Sequence, residues 1–278
     1  MGKRHRVRTS RSPIRLALNH VPTTSHAAFW AFMVIALIVA SGLYWALSVR
    51  ADDNDSTYVS QYTPAPALPD PRPAERLPLP NEPRLLVIGD SWTWGQGVTP
   101  HTQGYAYKVG ELMGWPVEVN GGRGSGYVTD SMTPDAENPE RFPTRVKAMP
   151  ESLAVPDPNI IIVQGSINDL AQPPQIEAAA FATLRDLKRV FPDASLVVVG
   201  PIYPPDVLSS KRAFDVEQAL RKAAIYTESA FIDPTQGGRF IPDDQWAAAM
   251  GPDSHPNALG HQLIANELSA RLKVLFHA

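Results

Sequence analysis

The stretch RLLVIGDSWT at residues 84–93 decides the fold. Its apolar first half is typical of a strand buried inside a parallel sheet. Gly89 then permits a sharp turn, and Ser91 follows at the carboxyl end of the strand, where open α/β sheets bind their ligands. This stretch alone leaves two interpretations of Ser91 open. It is a nucleophile, or it is the N-cap of the next helix.

From this stretch to the C-terminus, strand-like and helix-like patterns alternate. Such alternation predicts a parallel sheet with helices on both faces, in one domain that spans residues 84–278. We expect strands at residues 84–88, 116–120, 159–164, 195–200 and 230–232. We expect helices at residues 103–113, 139–149, 176–190, 211–226 and 257–276.

Three segments of different composition precede this domain. Residues 1–26 are basic without an acidic residue, residues 27–49 are apolar without charge or proline, and residues 50–83 are rich in proline. At 1.5 Å rise per residue, the apolar segment is long enough to cross the ~30 Å hydrocarbon core of a bilayer. The positive-inside rule then predicts a cytoplasmic tail, a transmembrane signal-anchor and a linker to an extracytoplasmic domain. The alternative is a cleaved signal peptide, which would leave a secreted protein.

Composition limits the chemistry. The chain has 278 residues, a net charge of −3 and no cysteine. The lack of cysteine excludes disulfides, thiolate metal sites and a cysteine nucleophile. The small net charge gives no sign of a nucleic-acid partner. The sequence has no P-loop and no cluster with metal-ligand spacing, so we expect neither a metal nor a cofactor.

Two loops that follow predicted strands carry residues suited to binding an anion. The loop NGGRGSG at residues 120–126 follows the second strand, and its glycines let backbone N–H groups approach a ligand closely. The loop GSIND at residues 165–169 follows the third strand. Asn168 in that loop either donates its amide hydrogens to a developing oxyanion or forms an Asx-turn or helix cap.

A fourth block, GPDSHPN at residues 251–257, leads into the last predicted helix. His255 lies in a loop stiffened by proline and close to Asp253, which suits a general base. The alternative is that Asp253 or Ser254 only caps the helix. Parallel strands bring their carboxyl ends to one edge of the sheet, so we expect the four blocks to meet there.

These four blocks, in this order, resemble the motifs of the SGNH hydrolases, the GDSL-type esterases and lipases. The resemblance runs from Arg84 to the C-terminus, about 70% of the chain. It implies a flavodoxin-like three-layer α/β/α fold. Two blocks depart from the family pattern, since GSIND has one residue more than G-x-N-D and DSH has one fewer than D-x-x-H. Thr93 stands where the last glycine of a G-x-S-x-G elbow would be, which argues against an ordinary α/β-hydrolase.

The resemblance also implies roles for the reactive side chains. Ser91 would be the nucleophile, His255 the general base and then the acid, and Asp253 the group that orients His255. The shortened spacing before His255 leaves an alternative, in which a backbone carbonyl holds the imidazole and a Ser-His dyad operates. Asp90 and Asp169 are expected to bond loop backbone around the site.

An oxyanion hole follows from the same resemblance. Its donors would be the backbone N–H of Ser91, a backbone N–H from Gly124 or Gly126, and the side chain of Asn168. The sequence does not choose between the two glycines.

From these features we expect a membrane-anchored, extracytoplasmic serine esterase that works through an acyl-enzyme. The substrate would be a short-chain acyl ester, and an acylated glycan of the cell envelope fits the expected location. Two alternatives remain open at this point. One is an acyltransferase with the same site, and the other is a catalytically inactive module that binds the envelope.

Overall fold

The computed structural model describes residues 76–133, 136–149, 153–169 and 171–276. Five strands form one sheet in the order β2-β1-β3-β4-β5, and every neighbouring pair is parallel. The strands are β1 (Leu85–Gly89), β2 (Val117–Gly121), β3 (Ile160–Gln164), β4 (Ser195–Val199) and β5 (Ala230–Ile232). This is the flavodoxin-like order, in which the chain changes direction of winding between β1 and β3.

Eight α-helices and one short 3₁₀ turn, His101–Gln103, lie within the described ranges. The helices are α1 (Ser91–Trp94), α2 (Tyr105–Met113), α3 (Phe142–Ala148), α4 (Pro173–Val190), α5 (Pro205–Leu208), α6 (Lys211–Tyr226), α7 (Trp246–Ala249) and α8 (Ala258–Phe276). The three helices of only four residues, α1, α5 and α7, are too short to show an apolar period, and the sequence did not predict them.

The sheet separates two apolar cores. Leu85 and Val87 of β1 point to the face covered by α2 and α8, whereas Leu86 and Ile88 point to the face covered by α3, α4 and α6. All five residues of β1 are buried because helices cover both faces of a central strand. The three-layer α/β/α arrangement predicted from the sequence is therefore confirmed.

Predicted boundaries hold to within one residue for the strands and to within about one turn for the helices. Helix α2 begins at Tyr105 because Gly104 is extended, with φ −66° and ψ 161°. Helix α4 begins at Pro173, earlier than predicted, since proline fits the first turn of a helix. The Gln172 backbone N–H donates to Gln175 Oε1 at 3.1 Å.

The predicted basic tail and transmembrane segment lie outside the described residues, as does most of the predicted linker. Near the end of that linker, the Leu77 N–H donates to the Leu275 carbonyl at 2.8 Å, and the Leu77 side chain packs on the core. Contacts of the folded domain thus begin before Arg84. No helix among the described residues is both long and apolar enough to cross a membrane.

Candidate active site

The turn after β1 sets the position of Ser91. Asp90 is the N-cap of α1, and its Oδ1 accepts the Trp92 N–H at 2.9 Å. Ser91 is therefore the first residue of the helix, and the prediction that Ser91 might itself be the N-cap is wrong. The Ser91 hydroxyl does not cap the helix and is therefore available to another loop at this edge of the sheet.

His255 meets that hydroxyl. The Ser91 Oγ and His255 Nε2 atoms lie 2.9 Å apart, although the two residues are 164 positions apart in the chain. A hairpin-like turn fixes the His255 backbone, since the Gly251 N–H donates to the His255 carbonyl at 2.7 Å. The loop after α1 lies directly against it, because a Cβ at Gly97 would come within 2.2 Å of the Pro256 carbonyl oxygen.

Both candidate partners of the imidazole come from one residue. His255 Nδ1 lies 2.9 Å from the Asp253 carbonyl oxygen and 3.2 Å from Asp253 Oδ2. A hydrogen on Nδ1 can be shared between them, which leaves Nε2 to accept the Ser91 hydroxyl. The shortened D-x-H spacing therefore places a carbonyl and a carboxylate against the same nitrogen.

Asp253 is charged at neutral pH. Its partial burial would raise the pKa of this carboxyl, but hydrogen bonds from Gln96 and the His255 N–H, together with the charge of His255, hold it below its usual value. The Asp253 side chain is 47% exposed, whereas that of His255 is 20% exposed.

Helix α8 has its own cap. Asn257 Oδ1 accepts the backbone N–H groups of Leu259 at 2.9 Å and Gly260 at 3.2 Å. The alternative in which Asp253 or Ser254 caps this helix is therefore wrong. Those two residues are left to shape the loop around His255.

The glycine loop after β2 lies beside the nucleophile turn. The Gly122 N–H donates to the Gly89 carbonyl at 3.0 Å, which ties the loop to the end of β1. The Gly126 N–H donates to the Thr129 carbonyl at 2.8 Å. The Gly124 N–H makes no hydrogen bond with any residue that the structure describes, and its φ of +76° favours glycine.

The loop after β3, which has one residue more than the family pattern, contains Ser166 at a φ of +88°. A serine rarely adopts this backbone conformation, and such strain is common around active sites. The turn closes with the Asp169 N–H donating to the Ser166 carbonyl at 3.2 Å. Asn168 Nδ2 then donates one hydrogen to the Ser125 carbonyl at 2.9 Å, so the third block is bonded to the second.

Asp169 organises the loop backbone, as predicted. Its carboxylate accepts the backbone N–H groups of Tyr127 at 2.9 Å, Val128 at 3.0 Å and Thr129 at 3.2 Å. A Cβ at Gly126 would lie 2.3 Å from Asp169 Oδ1, so the close approach requires glycine there.

Arg145 on α3 is a residue of the site that sequence reasoning missed. One guanidinium nitrogen donates to the Asn120 carbonyl and to Asn120 Oδ1, both at 2.7 Å. The other donates to the Gly89 carbonyl at 2.8 Å and to Ser125 Oγ at 3.2 Å. This side chain is only 4% exposed, and burial lowers its pKa to about 10. Arg145 thus joins the ends of β1 and β2 to the glycine loop.

Asp90 is a buried carboxyl group next to the nucleophile in the sequence. Burial raises the pKa of its carboxyl to about 7, and the charge of Asp169 adds to this, while Arg145 and the Trp92 N–H act in the opposite direction. Its Oδ2 has no hydrogen-bond partner among the described residues. Asp90 therefore serves as the cap of α1, which agrees with the structural role predicted for it.

Two other described histidines, His101 and His261, make no hydrogen bond with Ser91 and have other partners. His101 stacks on Trp94 with ring centroids 4.8 Å apart. His261 is fully buried and bonds backbone atoms of Tyr105 and Gln96. Among the described residues, no group of three or more His, Asp or Glu side chains is arranged to hold a metal ion.

The family model of GDSL-like lipases and acylhydrolases matches residues 87–263, which include Ser91 and the three later blocks. The chain belongs to this family. A comparison with curated proteins gives no match.

Solved structures show the same fold. A protein from Lactobacillus plantarum is 21% identical with a TM-score of 0.55, and the match covers 71% of this chain and 100% of that one. A family two carbohydrate esterase from Clostridium thermocellum, in complex with cellohexaose, is 19% identical with a TM-score of 0.55, over 71% of this chain and 65% of that one. A salicylyl-acyltransferase from a tetracycline biosynthetic pathway is 14% identical with a TM-score of 0.51, over 70% of this chain and 55% of that one. At these identities the likeness concerns the fold alone.

Proposed function

We propose that this protein is a serine hydrolase that cleaves carboxylic esters through an acyl-enzyme. The observation that carries the proposal is the 2.9 Å distance between Ser91 Oγ and His255 Nε2, because a general base must lie within hydrogen-bond reach of the hydroxyl that it deprotonates. Membership of the lipase and acylhydrolase family supports the same chemistry.

The reaction begins when Ser91 Oγ attacks the ester carbonyl carbon and passes its proton to His255 Nε2. The tetrahedral intermediate then breaks its C–O bond, and the departing alcohol takes the proton from His255. Water, activated by His255, attacks the acyl-enzyme, releases the carboxylic acid and restores the Ser91 hydroxyl.

Three donors suit the negative charge that develops on the carbonyl oxygen. The Ser91 N–H lies in the first turn of α1, where backbone N–H groups have no partner within the helix. Asn168 Nδ2 has a second hydrogen besides the one given to Ser125. From the glycine loop we favour the Gly124 N–H, because the Gly126 N–H already bonds Thr129.

For the substrate we propose a short-chain acyl ester, such as an acetyl ester of a cell-envelope glycan. The sequence has no long apolar segment near the site that would serve as a lid over a long acyl chain. The apolar segment at residues 27–49 supports an anchored domain on the outer side of the membrane, with secretion after cleavage as the alternative. The cellohexaose complex of the C. thermocellum esterase shows that one protein of this fold binds a glycan.

Acyl transfer to a second alcohol is the other candidate function, because it needs the same side chains. One structure of this fold is an acyltransferase. Product analysis with an alcohol acceptor present distinguishes the two, since hydrolysis releases free acid and transfer forms a new ester.

The test is hydrolysis of p-nitrophenyl acetate, butyrate and a longer-chain ester by the purified full-length chain. Ser91→Ala should lose about 10⁴-fold or more of the activity, because the nucleophile is removed. Ser209→Ala, at an exposed serine after α5, is the matched control and should keep it. Retained activity in Ser91→Ala would overturn the proposal. If no ester is cleaved, we expect a fluorophosphonate to label Ser91 in an enzyme that requires its natural substrate. A binding module without catalytic activity would not be labelled.

A further inference from the structure

We infer that Gln96 is a positioning residue that holds the Asp253 carboxylate against His255. The inference rests on the proposed function, since it concerns the same Ser91-His255 pair. Gln96 lies in the loop after α1, and neither the sequence motifs nor the family match assigns it a role.

The contact that motivates the inference is between two side chains from distant parts of the chain. Gln96 Nε2 donates to Asp253 Oδ2 at 3.3 Å, and this same oxygen lies 3.2 Å from His255 Nδ1. The Asp253 side chain is 47% exposed, so water competes for it. A donor from the opposite loop restricts the carboxylate to the rotamer that faces the imidazole.

Gln96 can do this because its own backbone is fixed at both ends. Its N–H donates to the Ser91 carbonyl at 2.9 Å. Its carbonyl lies 3.0 Å from Nε2 of the buried His261, whose Nδ1 accepts the Tyr105 N–H at 3.1 Å. Because Nδ1 accepts, the hydrogen of the neutral ring is on Nε2, where it bonds Gln96.

Glycines on both sides allow the loop to lie this close to its neighbours. Gly95 and Gly97 have φ of +96° and +98°. A Cβ at Gly95 would lie 2.2 Å from the His101 carbonyl oxygen, and one at Gly97 would lie 2.2 Å from that of Pro256. The Gln96 side chain therefore extends toward Asp253 from a backbone that is packed on two sides.

The shortened D-x-H spacing explains why such a donor matters here. The Asp253 carbonyl already lies 2.9 Å from His255 Nδ1, closer than the carboxylate. The carboxylate is thus the second and weaker partner of the imidazole. The carboxylate can stabilise the imidazolium that forms during catalysis only if it is held next to the ring.

The test measures kcat and KM for p-nitrophenyl acetate with the full-length chain. Gln96→Met keeps the side-chain length and removes the donor, so kcat should fall about tenfold, as expected for one hydrogen bond to a charged group, with KM unchanged. Gln262→Met, at a surface amide on α8 that bonds only Asn266 among the described residues, is the control and should leave kcat unchanged. In an Asp253→Asn background, Gln96→Met should have no further effect, because the carboxylate that it positions is gone.

Equal losses from Gln96→Met in both backgrounds, or a rise in KM with kcat unchanged, would overturn the inference and leave the esterase proposal intact. Should the wild type cleave no ester, the rate of fluorophosphonate labelling at Ser91 takes the place of kcat. Gln96→Met should then slow labelling about tenfold. A wild type that neither cleaves nor labels would overturn the proposed function, and the inference with it.

Discussion

Ser91 and His255 meet at 2.9 Å, but the segments that carry them are held in different ways. On the Ser91 side, the supporting ionisable groups are buried, with Asp90 at 0% and Arg145 at 4% exposure. On the other side, His255 sits in a surface loop whose main charged support, Asp253, is about half exposed.

The difference predicts that substitutions on the two sides of the site have different effects on stability and activity. Buried charges depend on their partners, so a change on the Ser91 side leaves other groups buried without compensation. A change on the His255 side exposes its groups to water, which replaces lost hydrogen bonds at little cost in stability. We therefore expect substitutions near Ser91 to lower stability, and those near His255 to lower activity alone.

The largest effect on stability is expected for Arg145→Met. The change removes four donated hydrogen bonds, and the Gly89 carbonyl then keeps the one from the Gly122 N–H. Removing the donor of four hydrogen bonds to buried acceptors costs about 3–5 kcal/mol of the free energy of unfolding. Urea denaturation followed by circular dichroism measures this loss.

Arg141→Met is the matched control for that experiment. Arg141 precedes the same helix, but its side chain is 50% exposed and its ion pair with Asp130 spans 3.8 Å. Such a surface pair contributes less than about 1 kcal/mol. If both variants lost the same stability, the proposed contrast between buried and exposed support would be wrong.

A second prediction concerns the pH dependence that Asp90 gives to stability. Burial raises the pKa of Asp90 to about 7, so between about pH 4 and pH 7 the folded state binds a proton that the unfolded state has released. The stability contributed by the protonated form is full below pH 4 and is lost as pH rises through 7.

Asp90→Asn keeps the oxygen that accepts the Trp92 N–H and removes the titration. Relative to this variant, the wild type should lose on the order of 2–4 kcal/mol between pH 4 and pH 8. Urea midpoints at several pH values give the difference, with Asp130→Asn as an exposed control. A wild type that instead gained stability over this range would mean that Arg145 stabilises the Asp90 anion more than burial opposes it.

The sequence predicts those parts of the molecule that depend on local sequence pattern. The buried runs of β1 and β3 and the blocks around Ser91 and His255 carry their own signals, namely an apolar stretch followed by turn residues. The start of α4 was predicted at residue 176, three residues late, because the proline that suits the first turn of a helix was not used as its start signal.

Arg145 and Gln96 carry no such signal. Arg145 lies in the helix segment FPTRVKA, where an arginine is expected to point to solvent. Its acceptors Gly89, Asn120 and Ser125 are 20 to 56 positions away, and only the assembled sheet edge brings them to it. Gln96 reaches Asp253 across 157 positions. Contacts of this kind follow from the tertiary structure and not from local propensity.

The smallest of these three effects, and the most direct test of the His255 side, is expected for Asp253→Asn. The Asp253 carbonyl, which lies 2.9 Å from His255 Nδ1, is not altered by this change, so we expect the imidazole to keep its orientation and to lose only a neighbouring negative charge. We expect kcat for p-nitrophenyl acetate to fall about 10- to 100-fold, far less than in Ser91→Ala, with the urea midpoint unchanged. Asp244→Asn, an exposed aspartate before α7, is the control and should behave like the wild type. A loss equal to that of Ser91→Ala would mean that the carboxylate, and not the carbonyl, orients His255, because only the carboxylate is altered.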